Sequence, residues 1–140
     1  MIKRKYGKNN DMLSIVGLGG ISVKGKGQKT ANEITSIAYE RGVNYFDVAP
    51  GYGDAQELFG KALISFRKKI FLACKTSKRD EKESTNDLEN SLKLLKTDYF
   101  DLYQLHGMKT REDFQKATGS HGVMNTLIRA REEGKIRNLG

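Results

Sequence analysis

LENSLKLLKTDYFDLYQLH, residues 88–106, changes its period partway along. The first part sets Leu88, Ser91, Leu92 and Leu95 on one helical face, and residues 99–106 then form an apolar, aromatic run of strand character ending in His106. The same alternation of apolar run and amphipathic stretch occurs four times. Residues 13–19 lead to a helix over 30–43, with Ile34, Ile37, Ala38 and the stem of Arg41 along its apolar stripe and Gly42 as its stop. Residues 44–49 lead to a helix over 55–66 carrying Leu58, Phe59, Ala62 and Leu63 on one face. Residues 69–75 lead to a helix over 84–96 with Ser84 or Thr85 as its N-cap. Residues 99–106 lead through a long loop to a helix over 123–135, and residues 136–140 open another strand. Turn chemistry at Lys8, Asn9, Asn10 and Asp11 predicts a short hairpin before all of this. Strands alternating with crossover helices imply a parallel sheet, which is either an open doubly wound sheet or part of a barrel.

Composition narrows the class. The chain has 140 residues, 37% hydrophobic and 30% charged, and contains no apolar run near the roughly 18 residues that a membrane span needs. Its basic start runs into no apolar signal core, and the single cysteine, Cys74, precludes an internal disulfide framework or a multi-cysteine metal site. The expected location is therefore a reducing compartment, the cytoplasm. A net charge of +8 would suit a polyanionic partner, but the basic residues are scattered beside acidic ones, as in KRDEKE. The aromatics lie within apolar runs instead of alternating with lysines as stacking platforms would, so the charge is read as solvating and no nucleic-acid or membrane partner is expected.

The glycine-rich segment GLGGISVKGKG, residues 17–27, raises two phosphate-binding readings. A dinucleotide fingerprint starting at Gly17 and Gly19 requires glycine where Ser22 stands. From Gly20 a P-loop nearly matches, but Gly27 occupies the place of the hydroxyl residue that holds magnesium. A phosphate-binding α/β protein using the Gly17–Gly27 loop thus remains the weaker alternative, and no metal ligands are assigned.

Polar residues at the strand ends are more informative, because chemistry in parallel α/β folds collects at the C-terminal edge of the sheet. Asp47 ends the second proposed strand, Lys75 the third and His106 the fourth, while FDVAPGYG turns through Pro50 and Gly51 to present Tyr52. Each has an ordinary structural explanation taken singly; matching positions on successive strands argue for a shared site.

These residues carry a resemblance. GLGG, NYFDVAPGYGDAQELFGKAL, LACKTSKR and LENSLKLLKTDYFDLYQLH, in this order, resemble the N-terminal half of an aldo-keto reductase, closest to a bacterial-type subgroup of oxidoreductases. The resemblance runs from about Lys5 to Gly140 and implies one incomplete domain, residues 1–140: the first half of a (β/α)8 TIM-type barrel, with about four βα units and the start of strand five. It further implies reduction of aldehydes and ketones with NADPH, or less often NADH. Asp47, Tyr52, Lys75 and His106 would be catalytic, Tyr52 and His106 would contact substrate, and Gly19, Gly20, Ile21 and Asp47 would border the nicotinamide end of the cofactor. The chemistry is coherent. Hydride addition to a carbonyl leaves an alkoxide that needs a proton, and a free phenol titrates near pH ~10. A nearby ammonium favours phenolate, a carboxylate can hold that ammonium, and an imidazole can orient the carbonyl oxygen.

The family barrel runs to about 250 residues, and closure takes eight strands. Most contacts to the nicotinamide amide, the pyrophosphate and the 2′-phosphate would come from strands five to eight. The chain is therefore expected to be a fragment of a longer product, one half of a split barrel that joins a complementary half or self-associates through strand edges, or an inactive relic or scaffold; little reductase activity is expected of the 140 residues alone. Cys74 should face the helix layer, away from Lys75. His121 reads as a loop or cap residue, and Arg79 either edges the site or is merely solvated.

Overall fold

The computed structural model describes residues 1–8 and 10–140. The expected turn around Lys8, Asn10 and Asp11 therefore lies partly outside the described residues, at Asn9. The hairpin strands themselves are present: β1 (Lys3–Lys5) and β2 (Met12–Ser14) pair antiparallel, with Arg4 opposite Leu13. Then follow β3 (Leu18–Gly19), a 3-10 turn (Gly20–Ser22), α1 (Gly27–Glu40), β4 (Tyr45–Asp47) and α2 (Ala55–Ala62). A second 3-10 turn (Arg67–Lys69) leads to β5 (Phe71–Thr76), α3 (Glu81–Leu95), β6 (Phe100–Leu105), α4 (Arg111–Thr118), α5 (Val123–Glu132) and β7 (Ile136–Leu139).

Strands β3 to β7 form one parallel sheet in sequence order, each hydrogen-bonded to the next. That order separates the two architectures. A doubly wound sheet reverses its strand order at a switch point, whereas stepwise winding in one direction generates the arc of a barrel. All helices cover one face, where Phe46, Phe59, Leu72, Leu88, Tyr103 and Leu127 make the main core. On the opposite face Phe71, Ala73 and Leu102 are buried beneath Tyr6, Leu13 and Tyr45. The ring of Tyr6 meets that of Phe71 edge-on at 5.2 Å, so the hairpin shields the lower part of the face that would line a closed barrel. Phe71–Cys74 of β5 are buried without alternation, as expected of a parallel strand covered on both sides.

Local sequence accounts for most boundaries, and several differ from expectation. The predicted first strand over 13–19 is two strands: Ser14 Oγ donates to the Val16 carbonyl at 2.7 Å, the chain bends, and Ile15 and Val16 are left half exposed. Helix α1 begins at Gly27, three residues before Thr30, and buries Ala31 and Thr35, while Ile37 is 50% exposed and Arg41 caps the helix in solvent. Gly42, at φ +88°, does stop it. Helix α2 ends at Ala62, short of the predicted 66. In α3 the N-cap is Asp80, whose side chain accepts from the Glu83 N–H at 2.9 Å; Ser84 and Thr85 lie inside the helix with their hydroxyls turned back on the Glu81 carbonyl. Its buried face, Leu88, Ser91, Leu92 and Leu95, is the one predicted. Helices α2 and α3 touch at Gly60, where a β-carbon would run into the Leu94 carbonyl. The loop expected between residues 107 and 122 contains α4, started by a capping box in which Thr110 and Asp113 exchange side-chain-to-backbone bonds. Among the described residues no helix is long and apolar enough to cross a membrane.

Candidate active site

The parallel register brings the strand-end residues together. Asp47 is paired with Ala73, and Lys75 lies two residues further along β5, so the side chains of Asp47 and Lys75 share a face and an edge. Lys75 Nζ lies 2.6 Å from Asp47 Oδ1, with both side chains mostly buried. Just past β4 the chain turns through Pro50 and Gly51. The Tyr52 N–H donates to the Ala49 carbonyl at 3.1 Å, and Gly53, at φ +60°, lets the chain reverse into α2. This turn carries the Tyr52 ring back over the sheet edge, where Lys75 Nζ stands 5.5 Å from its centroid. His106 follows β6 directly and its N–H donates to the Thr76 carbonyl at 2.9 Å. Its ring meets Tyr52 edge-on, 6.3 Å between centroids at 88°.

Two opposed effects act on Lys75. Burial disfavours its ammonium, but the hydrogen bond and charge of Asp47, reinforced by Tyr52, outweigh burial and raise its pKa above the ordinary value. The lysine is therefore a fixed positive charge beside the phenol. Cys74 points the other way, fully buried against Gln56, and burial pushes its thiol up to about 12. This is the orientation expected for it, and it removes the thiol from the chemistry.

Gly19 stands opposite Asp47 in the register, and a β-carbon there would meet only Ile21 Cγ2, at 3.9 Å. The backbone at Gly19 thus borders open space beside Asp47. Gly20 is buried, and a β-carbon would come within 2.7 Å of Val48 Cγ2, so glycine lets the end of β3 lie close against β4. Ile21 is 58% exposed on the following 3-10 turn. The open backbone beside Asp47 leaves room for a flat ring such as the nicotinamide end of a dinucleotide. The same loop does not form a phosphate nest. The Gly25 N–H donates to Asp54 Oδ1 at 2.8 Å, and those of Val23 and Lys26 donate within the loop, so a carboxylate already occupies a donor a phosphate would need.

The sequence left Arg79 open between two readings and passed over Asp113. Arg79, read as either solvated or at the mouth, has a side chain only 15% exposed and donates through Nη2 to the His106 carbonyl at 2.8 Å. Asp113 lies 3.4 Å from Arg79 Nε. The T-x-x-D spacing of Thr110 and Asp113 was a legible helix-start signal and would have located α4. His121 sits in solvent one residue before the N-cap of α5, its carbonyl accepting from the Glu81 N–H at 2.9 Å, as a loop residue should. An open hollow of about 400 Å³ beside it, bordered by Asp80, Thr85 and Arg129, lies apart from the four side chains, and its Glu81 and Arg129 are paired with each other at 2.8 Å.

Known proteins share the fold of this chain. The chain is 34% identical to the uncharacterized oxidoreductase YqkF of Bacillus subtilis, over all of this chain and 48% of that protein. It superposes on the holo form of aldo-keto reductase AKR11C1 from Bacillus halodurans with a TM-score of 0.84 and 29% identity, covering 100% of this chain and 50% of that one. An aldo-keto reductase from Klebsiella pneumoniae, solved in complex with NADPH, superposes at a TM-score of 0.79 and 25% identity, over 94% of this chain and 46% of that one. The chain thus spans about half the length of the relatives it matches. The arc of sequentially ordered parallel strands is accordingly the first half of a (β/α)8 barrel. With the model of the Aldo/keto reductase family matching residues 15–140, nearly the whole length, the chain belongs to that family.

Proposed function

We propose that this chain supplies the catalytic side chains of an NAD(P)H-dependent reductase of small aldehydes and ketones. The observation that carries the reading is the Asp47–Lys75 pair at 2.6 Å, set beneath Tyr52 with the His106 ring against the same phenol. A reduced nicotinamide, when bound, supplies the hydride; Gly19, Gly20, Ile21 and Asp47 would border it. Tyr52 gives its hydroxyl proton to the carbonyl oxygen as that oxygen gains charge. Lys75 offsets the negative charge left on the phenol oxygen, and Asp47 keeps the ammonium in position. His106 donates to the carbonyl oxygen and fixes its approach. Solvent returns the proton to Tyr52. The cofactor choice follows the family and the NADPH-bound relative, and the protein would act in the cytoplasm, where the buried Cys74 stays reduced.

Closure takes eight strands, and the described residues form five in one parallel sheet. We place the activity in an assembled barrel of eight strands, of which this chain forms part. The test is oxidation of NADPH by that assembly with a simple aldehyde. Tyr52→Phe is expected to lower kcat by about 10²–10⁴-fold, the range of general acid–base catalysis, with cofactor affinity retained. Turnover by the phenylalanine variant at the wild-type rate would refute the assignment.

A further inference from the structure

We propose that Arg79 is a positioning residue for His106 and that the first turn of α4 is thereby part of the active-site framework; the inference rests on the reading of His106 given above. His106, the residue just after β6, still uses the ladder through its N–H to the Thr76 carbonyl at 2.9 Å. Its own carbonyl lies beyond the ladder, and the next residue, Gly107, turns away at φ +67°. A peptide at such a pivot can swing unless a donor holds it, and holding it anchors the end of the segment that carries the His106 side chain. Arg79 provides that donor. Nη2 holds the His106 carbonyl at 2.8 Å, Nη1 holds the Ser77 carbonyl at 3.0 Å, and Nε faces Asp113 Oδ1 at 3.4 Å. The planar fork of one guanidinium thus spans three segments, which the single nitrogen of lysine cannot do.

The arginine is itself held in place. Its carbonyl accepts from the Val123 N–H at 2.9 Å, tying the 77–80 loop to the start of α5. Asp113 is fixed by the N–H groups of Lys109 and Thr110 at 3.1 and 3.2 Å. Its carboxyl is held below its usual value, first by the Lys109 N–H and also by Arg79, so it stays charged. The bond to the His106 carbonyl is part-buried and joins residues 27 positions apart, which sets Arg79 apart from an arginine held only in solvent.

The imidazole resonances test this without requiring turnover. The chain has two histidines, so one His121→Asn variant assigns the long-range proton–nitrogen spectrum. Arg79→Ala is expected to shift or broaden the His106 ring resonances, Arg79→Lys to restore part of the wild-type pattern, and Asp113→Asn to displace them less than Arg79→Ala. In the assembled reductase, Arg79→Ala should lower kcat by about 10²-fold, the scale of a misplacement near 1 Å, with the KM for cofactor unchanged. His106 resonances in a folded Arg79→Ala that superpose on the wild type would overturn the proposal. If Arg79→Ala does not fold, Arg79→Lys and Asp113→Asn decide: an unmoved His106 in both overturns it, and a displaced one supports it. A displaced ring in an enzyme whose turnover ignores His106→Gln would refute the assigned reaction and leave the positioning role standing.

Discussion

Asp101 sits near the foot of β6, the strand that carries His106, and its replacement provides a quantitative test of how this half-barrel is held. Its side chain is 5% exposed. Oδ2 accepts from Arg67 Nη1 at 3.0 Å and from the Leu72 N–H at 2.9 Å, and Oδ1 accepts from Arg137 Nη1 at 2.9 Å. The two guanidinium groups also flank the Tyr99 ring, at 4.3 and 4.0 Å. Their surroundings differ: the Arg67 side chain is 9% exposed and that of Arg137 is 58% exposed. Asp101→Ala would leave the Leu72 N–H unpaired, at about 1–3 kcal/mol. It would also strip Arg67 of its buried counter-charge, at about 3–5 kcal/mol. The two terms overlap at one carboxylate, so the expected loss is about 3–5 kcal/mol, a large share of the roughly 5–15 kcal/mol that holds a domain together. At roughly 3 °C per kcal/mol for a chain this long, the melting midpoint should fall by about 10–15 °C. Arg67→Ala should fall in the same range, whereas Arg137→Ala, which breaks a solvent-screened contact, should lose no more than about 1 kcal/mol. Urea unfolding of the three variants measures this directly. Equal losses from Arg137→Ala and Asp101→Ala, or an Asp101→Ala variant within about 1 kcal/mol of wild type, would refute the reasoning.

Other expectations follow from the same geometry. Lys75 has a folded pKa above its ordinary value, so its contribution to stability is complete below about pH 10.4 and is lost as pH rises through the higher folded value; Asp47→Asn should shrink this alkaline loss in urea unfolding at a series of pH values, and an unchanged slope would refute it. Cys74, with its thiol pushed up to about 12 by burial, should resist a thiol reagent at pH 8 and become labelled only in step with unfolding. Gly60→Ala should cost roughly 1–3 kcal/mol by forcing α2 from α3, while Gly51→Ala, with nothing within 4 Å of the new β-carbon, should unfold within about 0.5 kcal/mol of wild type.

The βα alternation and the buried face of α3 were legible because both depend on period. Leu88, Ser91, Leu92 and Leu95 recur at helical spacing, and that face is buried. The opposite facing of Cys74 and Lys75 follows equally from the two-residue pleat. Boundaries were less legible where a side chain competes for backbone groups. Asp80 in the charged run KRDEKE is a cap, although composition suggested only solvation. Ser14 breaks a continuous apolar run by bonding to Val16, and no periodicity records that.

The sequence by itself placed Asp47, Lys75 and His106 within one residue of the ends of three successive strands and set Cys74 on the face opposite Lys75, since both are local properties of a chain with a strand period of two. It therefore presented Asp47, Tyr52, Lys75 and His106 as candidates, and the family resemblance implied the chemistry proposed for them. Only the tertiary structure decided that the strands follow one another in order, that Lys75 reaches Asp47 at 2.6 Å, and that Arg79 turns inward to hold His106. Those outcomes depend on contacts between residues 27 or more positions apart, where the sheet's register and helix packing, not the neighbouring residues, set the distance.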